Sequence, residues 1–205
     1  TRLLAHGAAV RAVRFSPSGD RGYSGGDDGR IVEYDLTTGA QLRVVASLPS
    51  AVLAMRFAGV DTLVVVTADS NIRAMNISTG TDLWRRSFPS YPVLSIDVHP
   101  VHHLIAAGSL NGRVLTIDPA TGAERTPPVQ LSTNVAITDV SFGNDNAGTP
   151  LLYAVLAYGE AYSVLPTLNA ATALTYKDRP ARCVGRSNSS TVIGWNGMFT
   201  TSYGS

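Results

Sequence analysis

Asp35-Leu-Thr-Thr-Gly39 returns as Asn76-Ile-Ser-Thr-Gly80 and again as Asp118-Pro-Ala-Thr-Gly122, about 41 residues apart each time. In each copy an Asp or Asn can accept hydrogen bonds from the backbone just after it. The closing glycine takes a positive φ, so the motif ends one strand and reverses the chain into the next. A second set of marks keeps the same period. Val13-Arg14-Phe15, Met55-Arg56-Phe57, Ile96-Asp97-Val98 and Val140-Ser141-Phe142 each end a short alternating run, and Arg182-Cys183-Val184 is a weaker fifth. A period of about 40 to 45 residues with no helical periodicity marks propeller blades.

The first copy reads as four strands, over residues 2–4, 9–16, 21–25 and 30–36, with apolar residues alternating along them. Leu63-Val-Val-Val66 reads as a strand buried on both faces. The expectation is an all-β chain, a β-propeller of about five four-stranded antiparallel blades, forming a single domain over 1–205. The repeats fall near 1–38, 39–79, 80–121, 122–167 and 168–205. Packing four-stranded sheets side by side buries both faces of each and leaves only short edges.

Composition narrows the functional classes. The 205 residues are 44% apolar, enough for a real core, and 19 glycines and 11 prolines are spread along the chain as turn punctuation. Sixteen basic against fifteen acidic residues give a net charge of +1, with the arginines scattered, so no basic stripe marks a nucleic-acid face. A single cysteine, Cys183, forms no internal disulfide, and no apolar run is long enough to span a membrane as a helix. These features point to the cytoplasm or nucleus.

Ser24-Gly-Gly-Asp-Asp-Gly-Arg-Ile-Val-Glu-Tyr-Asp35, preceded by Ala5-His6 and Phe15-Ser-Pro-Ser-Gly19, resembles a repeat of the WD40 family. The likeness runs along the whole chain, strong in the first copy and fading toward the last. Tyr34-Asp35, Met75-Asn76 and Ile117-Asp118 stand where that family prefers Trp-Asp. The resemblance implies that Asp28 and Asp69 are turn aspartates, with Asn111, Gly159 and Asn196 in their place in later copies. It implies a structural network of turn Asp, His, hydroxyl and Trp. His6 and Asp28 keep two members in the first copy, but Gly26 stands where the hydroxyl belongs, so the network is expected to be broken in every copy. The resemblance also implies either a ring closed by the N-terminal strand or part of a larger, seven-bladed propeller, completed by further blades or another chain.

Convergent reactive groups are sparse. His99, His102 and His103 form a local cluster with metal-compatible spacing, but in a loop where a solvated turn is the simpler reading. Gly25-Gly26-Asp27-Asp28-Gly29 lacks the Lys-Ser/Thr of a phosphate loop and the ligand ladder of a calcium loop. No catalytic residue, cofactor or metal is expected, and the chain is not expected to be an enzyme. Superimposing the turns between second and third strands gives a column of Asp27, Ala68, Leu110, Tyr158 and Trp195. Leu110, Tyr158 and Trp195 therefore gather at one mouth, rimmed by Tyr91 and Arg182. They form either a partner-binding patch or plugs between blades.

The expected function is a protein-binding scaffold or adaptor subunit of a multiprotein complex. Two alternatives stand beside it. Asn71-Ile-Arg-Ala-Met-Asn-Ile-Ser-Thr-Gly-Thr-Asp-Leu-Trp84 is similar to blade motifs of quinoprotein dehydrogenases. In those propeller enzymes the Trp locks neighbouring blades and a separate acidic pocket, often with calcium, binds the quinone. The other alternative is a mouth for RNA or anionic lipid built on Arg11, Arg85, Arg86, Arg182 and Arg186, which the near-neutral charge argues against.

Overall fold

Short runs of β-branched and aromatic residues, punctuated by Gly, Asp and Ser, build only strands in this chain. The computed structural model describes residues 6–99, 101–144, 150–165, 170–174, 183–187, 190–195 and 198–203, with side chains described over 6–99, 101–143 and 151–164. Two compact units divide the chain, Thr1–Pro92 and Val93–Ser205.

The first unit holds two sheets. One runs β1 (Val10–Phe15), β2 (Arg21–Gly26), β3 (Arg30–Asp35) and β4 (Gln41–Ser47). The other runs β5 (Val52–Phe57), β6 (Thr62–Thr67), β7 (Asn71–Asn76) and β8 (Thr81–Ser87). The second unit holds β9 (Val93–His99), β10 (Leu104–Ser109), β11 (Arg113–Ile117) and β12 (Glu124–Gln130), then β13 (Ile137–Asn144), β14 (Pro150–Leu156), β15 (Ala161–Leu165) and β16 (Ala170–Leu174). A fifth sheet follows from β17 (Cys183–Ser187), β18 (Ser190–Trp195) and β19 (Met198–Tyr203). Consecutive antiparallel pairing gives four four-stranded meanders and a three-stranded one, the build of a β-propeller, as the repeat predicts.

The sheets are one strand out of phase with the repeats drawn from sequence. The first begins at β1 and takes its fourth strand from β4, after the turn at Asp35, while residues 2–4 lie outside the described residues. That turn is tight for the expected reason. Asp35 Oδ1 accepts from the backbone N–H of Thr37 and Thr38, both at 2.9 Å, and Gly39 follows at φ 70°. Asn76 and Asp118 repeat the pattern, with Gly80 at φ 72° and Gly122 at φ 70°.

Within the first unit, Ala12, Tyr23, Ile31 and Val45 of the first sheet meet Val52, Met55, Leu63, Val65, Met75 and Ile77 of the second. Leu63, Val64, Val65 and Val66 are all at 0% exposure, so β6 is covered on both faces. In the second unit Ala106 and Val114 meet Ile137, Val140, Phe142, Leu152, Ala154 and Val164. Each fully buried apolar side chain of this size contributes about 1.5–3 kcal/mol. Two glycines let the sheets approach. A Cβ on Gly25 would lie 2.5 Å from Val52 Cγ1, and one on Gly108 would lie 2.6 Å from Ile137 Cγ2.

A polar latch crosses the first junction as well. Tyr23 donates its hydroxyl to Glu33 at 3.1 Å. Arg43 donates Nε to the other Glu33 oxygen at 2.7 Å and Nη2 to the Ile77 carbonyl at 2.6 Å. Burial first, and then the Glu33 carboxylate beside it, push the Tyr23 hydroxyl up to about 12.

Candidate functional site

In each four-stranded sheet the loop entering the first strand and the turn between the second and third strands lie at the same end, because the strands alternate in direction. Side chains at these tips are held by short hairpins, and they fold in, as Asp28 does onto His6, or project. Leu110, on the β10–β11 turn, is 51% exposed, and Tyr158, on the β14–β15 turn, is 80% exposed. Both belong to the second unit, on consecutive sheets that pack against each other. For these two residues the plug reading does not hold.

The turns align differently from the column drawn on sequence. Gly29 N–H donates to Gly26, Ser70 to Thr67, Gly112 to Ser109 and Gly159 to Leu156, all at 2.9–3.3 Å and all with positive φ at the donor. This match places Tyr158 with Asp28, Asp69 and Asn111, and places Ala157 beside Leu110. The turn aspartate of the fourth copy is therefore replaced by Tyr158 rather than by Gly159. Tyr91 belongs to the first unit and lies tilted against buried Phe88, ring centres 5.8 Å apart. Trp195 closes β18, but its side chain, like Arg182, lies outside what is described.

The first-sheet network is closed, against the expectation that Gly26 breaks it. His6 Nδ1 lies 2.9 Å from Asp28 Oδ1 and His6 Nε2 lies 2.7 Å from Ser24 Oγ; Ser24 Oγ is in turn 3.1 Å from the Tyr34 hydroxyl. The hydroxyl comes from two residues earlier on the same face of β2. A Cβ on Gly26 would lie 2.6 Å from the Ala9 carbonyl oxygen and 3.2 Å from His6 Nδ1, so the close approach of the Ala9 backbone, with the imidazole beside it, leaves no room for a side chain there. Where the equivalent position carries a hydroxyl, it bonds the turn residue directly. Thr67 Oγ1 donates to Asp69 at 2.6 Å and Ser109 Oγ to Asn111 at 2.7 Å.

Ser24 and Tyr34 are the residues that sequence reasoning missed. The signal was present in the period of two, which puts Ser24, Gly26 and Gly22 on one face. Burial pushes the Asp28 carboxyl up, but hydrogen bonds from His6 and from the backbone of Arg30 and Gly7 outweigh it and hold the group below its usual range. Ser24, His6 and Asp28 share the order of an acyl-transfer triad. Yet Ser24 is 5% exposed and its oxygen is spent between His6 and Tyr34, which is the arrangement of an internal brace.

The histidine cluster is also put to structural use. His99 is 4% exposed, its Nδ1 accepts from the backbone of Val101 and His102, and its ring lies edge-on to Phe142 with centres 5.4 Å apart. Among the described residues no group of three or more His, Cys, Asp or Glu side chains is placed to hold a metal ion.

Comparison with known proteins corrects the family resemblance. A model of the family described as outer membrane protein assembly factor BamB, made of PQQ-type repeats, matches residues 4–187. No curated protein matches the chain. The WD40 resemblance is thereby overturned. Its strongest signal, Ser24 to Asp35 with His6, lies in one copy, whereas the match covers nearly the whole repeat array and both families build four-stranded blades. The scaffold or adaptor reading drawn from that resemblance falls with it, and the propeller class carrying the Asn71 to Trp84 motif stands in its place. Protein partners remain consistent with the match, and among the described residues no helix is long and apolar enough to cross a membrane. The chain belongs to the PQQ-type propeller-repeat family described as outer membrane protein assembly factor BamB.

Proposed function

We propose that this chain acts as an assembly factor for outer membrane proteins, holding polypeptide at the end of the second unit where Leu110 and Tyr158 project. The observation that carries the reading is the exposure of these two large apolar side chains, 51% and 80%, on turn tips of adjacent sheets. Tyrosine is a residue type enriched in binding hot spots, and an exposed leucine on a neighbouring hairpin adds apolar contact area. The family's description supplies the class of partner. On this reading the chain works in the cell envelope rather than in the cytoplasm or nucleus, and its work is binding.

A quinone-dependent activity is the other reading that the family name brings, and the described residues do not fit the group. Asp27 is paired with Arg11 at 2.7 Å and Asp28 with His6. Asp69 is bonded by Thr67, and Asp35 and Asp118 are consumed by their turns. Asp27 and Asp28 share one turn and Asp69 holds the equivalent turn of the next sheet, each already engaged, while Asp35 and Asp118 lie at the opposite end of their sheets.

The test is binding of a fluorescently labelled, unfolded outer-membrane β-barrel polypeptide to the 205-residue chain, read by anisotropy. Leu110→Asp with Tyr158→Asp is expected to weaken binding at least tenfold, the size of a hot-spot loss, with an unchanged unfolding midpoint. Undiminished affinity in that variant would remove the reading.

A further inference from the structure

Arg73 carries an unfilled guanidinium edge inside the first unit. It stands on β7 opposite Val65 of β6 and two residues before Met75, so it shares the face that packs on the first sheet. The residue is 4% exposed. Its Nη1 donates to Asp82 Oδ2 at 3.1 Å, but among the described residues its Nε and Nη2 have no hydrogen-bond partner.

Nε and Nη2 make up the side edge of a guanidinium, a two-pronged donor that fits the two oxygens of one carboxylate. Elsewhere the chain fills this edge. Arg11 gives Nε and Nη2 to the two oxygens of Asp27 at 2.8 and 2.7 Å, and Arg125 gives both to Asp118 at 3.0 and 2.6 Å. Asp82 meets Arg73 through Nη1 instead, which leaves the edge over. Arg85 adds charge at the same place. It is the partner of Arg73 in the ladder between β7 and β8, it is exposed, and among the described residues it makes no hydrogen bond or ion pair. Like charges directly opposite each other on a sheet repel, and a buried donor left unmet has lost its water for nothing. Two cations against the one carboxylate of Asp82 leave a single positive charge. β8 is the outer strand of its sheet, and Asp82 and Arg85 on it are exposed.

We propose that Arg73 and Arg85 form a binding site for a small carboxylate anion, held by Arg73 Nε and Nη2, balanced by Arg85, and entered from the β8 side when the Asp82 and Arg85 side chains turn aside. A planar pair of oxygens matches the edge, a monoanion matches the surplus charge, and the burial of Arg73 limits the ligand to a small one. The inference does not depend on the assembly-factor reading.

Acetate is the probe, titrated to about 100 mM into the 205-residue chain with chloride holding the ionic strength constant, a range that reaches weak affinity. Arginine Nε–H signals in heteronuclear correlation spectra report binding, and urea unfolding reports the stabilisation linked to it. One Nε–H signal, missing from Arg73→Lys, is expected to shift saturably, and the unfolding midpoint is expected to rise with acetate. Arg73→Lys keeps the charge without the fork and should weaken binding at least tenfold. Arg85→Gln, at an exposed position, should weaken it about threefold, and Arg11→Lys should leave it unchanged. Spectra without a saturable shift overturn the proposal, and so does stabilisation by acetate that persists undiminished in Arg73→Lys. Phosphate binding more tightly than acetate overturns the carboxylate assignment. If Arg73→Lys does not fold, Arg85→Gln decides, and an affinity unchanged in that variant overturns the site.

Discussion

Ser24→Ala is the most informative single substitution in the first sheet. It leaves His6 Nε2 and the Tyr34 hydroxyl without their shared partner, and an unmet buried polar group costs about 1–3 kcal/mol. A loss of that size is expected in urea unfolding of the 205-residue chain, with no change in the denaturant slope. Thr67→Ala, which removes one hydroxyl-to-carboxylate bond at 2.6 Å, should cost less. Titration of the same groups gives a second expectation. The carboxyls of Asp28, Asp69 and Asp118 are all held below their usual range: burial pushes each one up, and hydrogen bonds outweigh it. A folded-state pKa below the unfolded value contributes stability that is present above the unfolded pKa and is lost as pH falls through the folded one. Stability should therefore hold down to about pH 4 and decline below it, where the unfolded carboxyls take up protons first. Asp28→Asn should lower the plateau and flatten that acid limb, as followed by circular dichroism.

At the level of elements, the sheet-to-sheet contacts depend on where a side chain is missing. Gly25→Ala puts a methyl 2.5 Å from Val52 Cγ1 and 3.1 Å from Met55 Sδ, an overpacking expected to cost about 1–3 kcal/mol. Val52→Ala alone opens a cavity and should cost a comparable amount. The double variant should recover part of the sum, since the two changes offset each other in one contact. A double-mutant cycle by chemical denaturation measures the coupling, and strict additivity would mean that Gly25 and Val52 do not meet. The turns behave differently. Their hydrogen bonds are local, which is why Asp35-Leu-Thr-Thr-Gly39 and its copies could be read as turns directly, whereas the partner of Gly25 lies 27 positions away and carries no local mark.

For the whole molecule, near-neutral charge sets the character of binding. With a net charge of +1, and with Arg11, Arg21, Arg43, Arg73 and Arg125 paired to carboxylates, the chain has little excess of cations to release counterions from a polyanion. Affinity for the polypeptide probe is expected to change less than about threefold between 50 and 300 mM salt, where a nucleic-acid binder making several phosphate contacts would lose orders of magnitude. Anisotropy titrations at the two salt concentrations decide it. The period of about 41 residues, the alternation of apolar side chains and the Asx turns were legible in the sequence, because each is written in residues a few positions apart; they determined an all-β propeller of four-stranded sheets. Tertiary structure alone decided the rest. It chose Ser24 rather than position 26 to supply the hydroxyl of the His6 network, because the Ala9 carbonyl, with the imidazole beside it, leaves no room for a side chain at 26. It moved Tyr158 onto the turn-aspartate position, because the hairpin's hydrogen bonds and positive φ set the register, not residue likeness. And it left Val13 and Phe15 half or more exposed, because alternation marks a side chain for burial without specifying what will cover it.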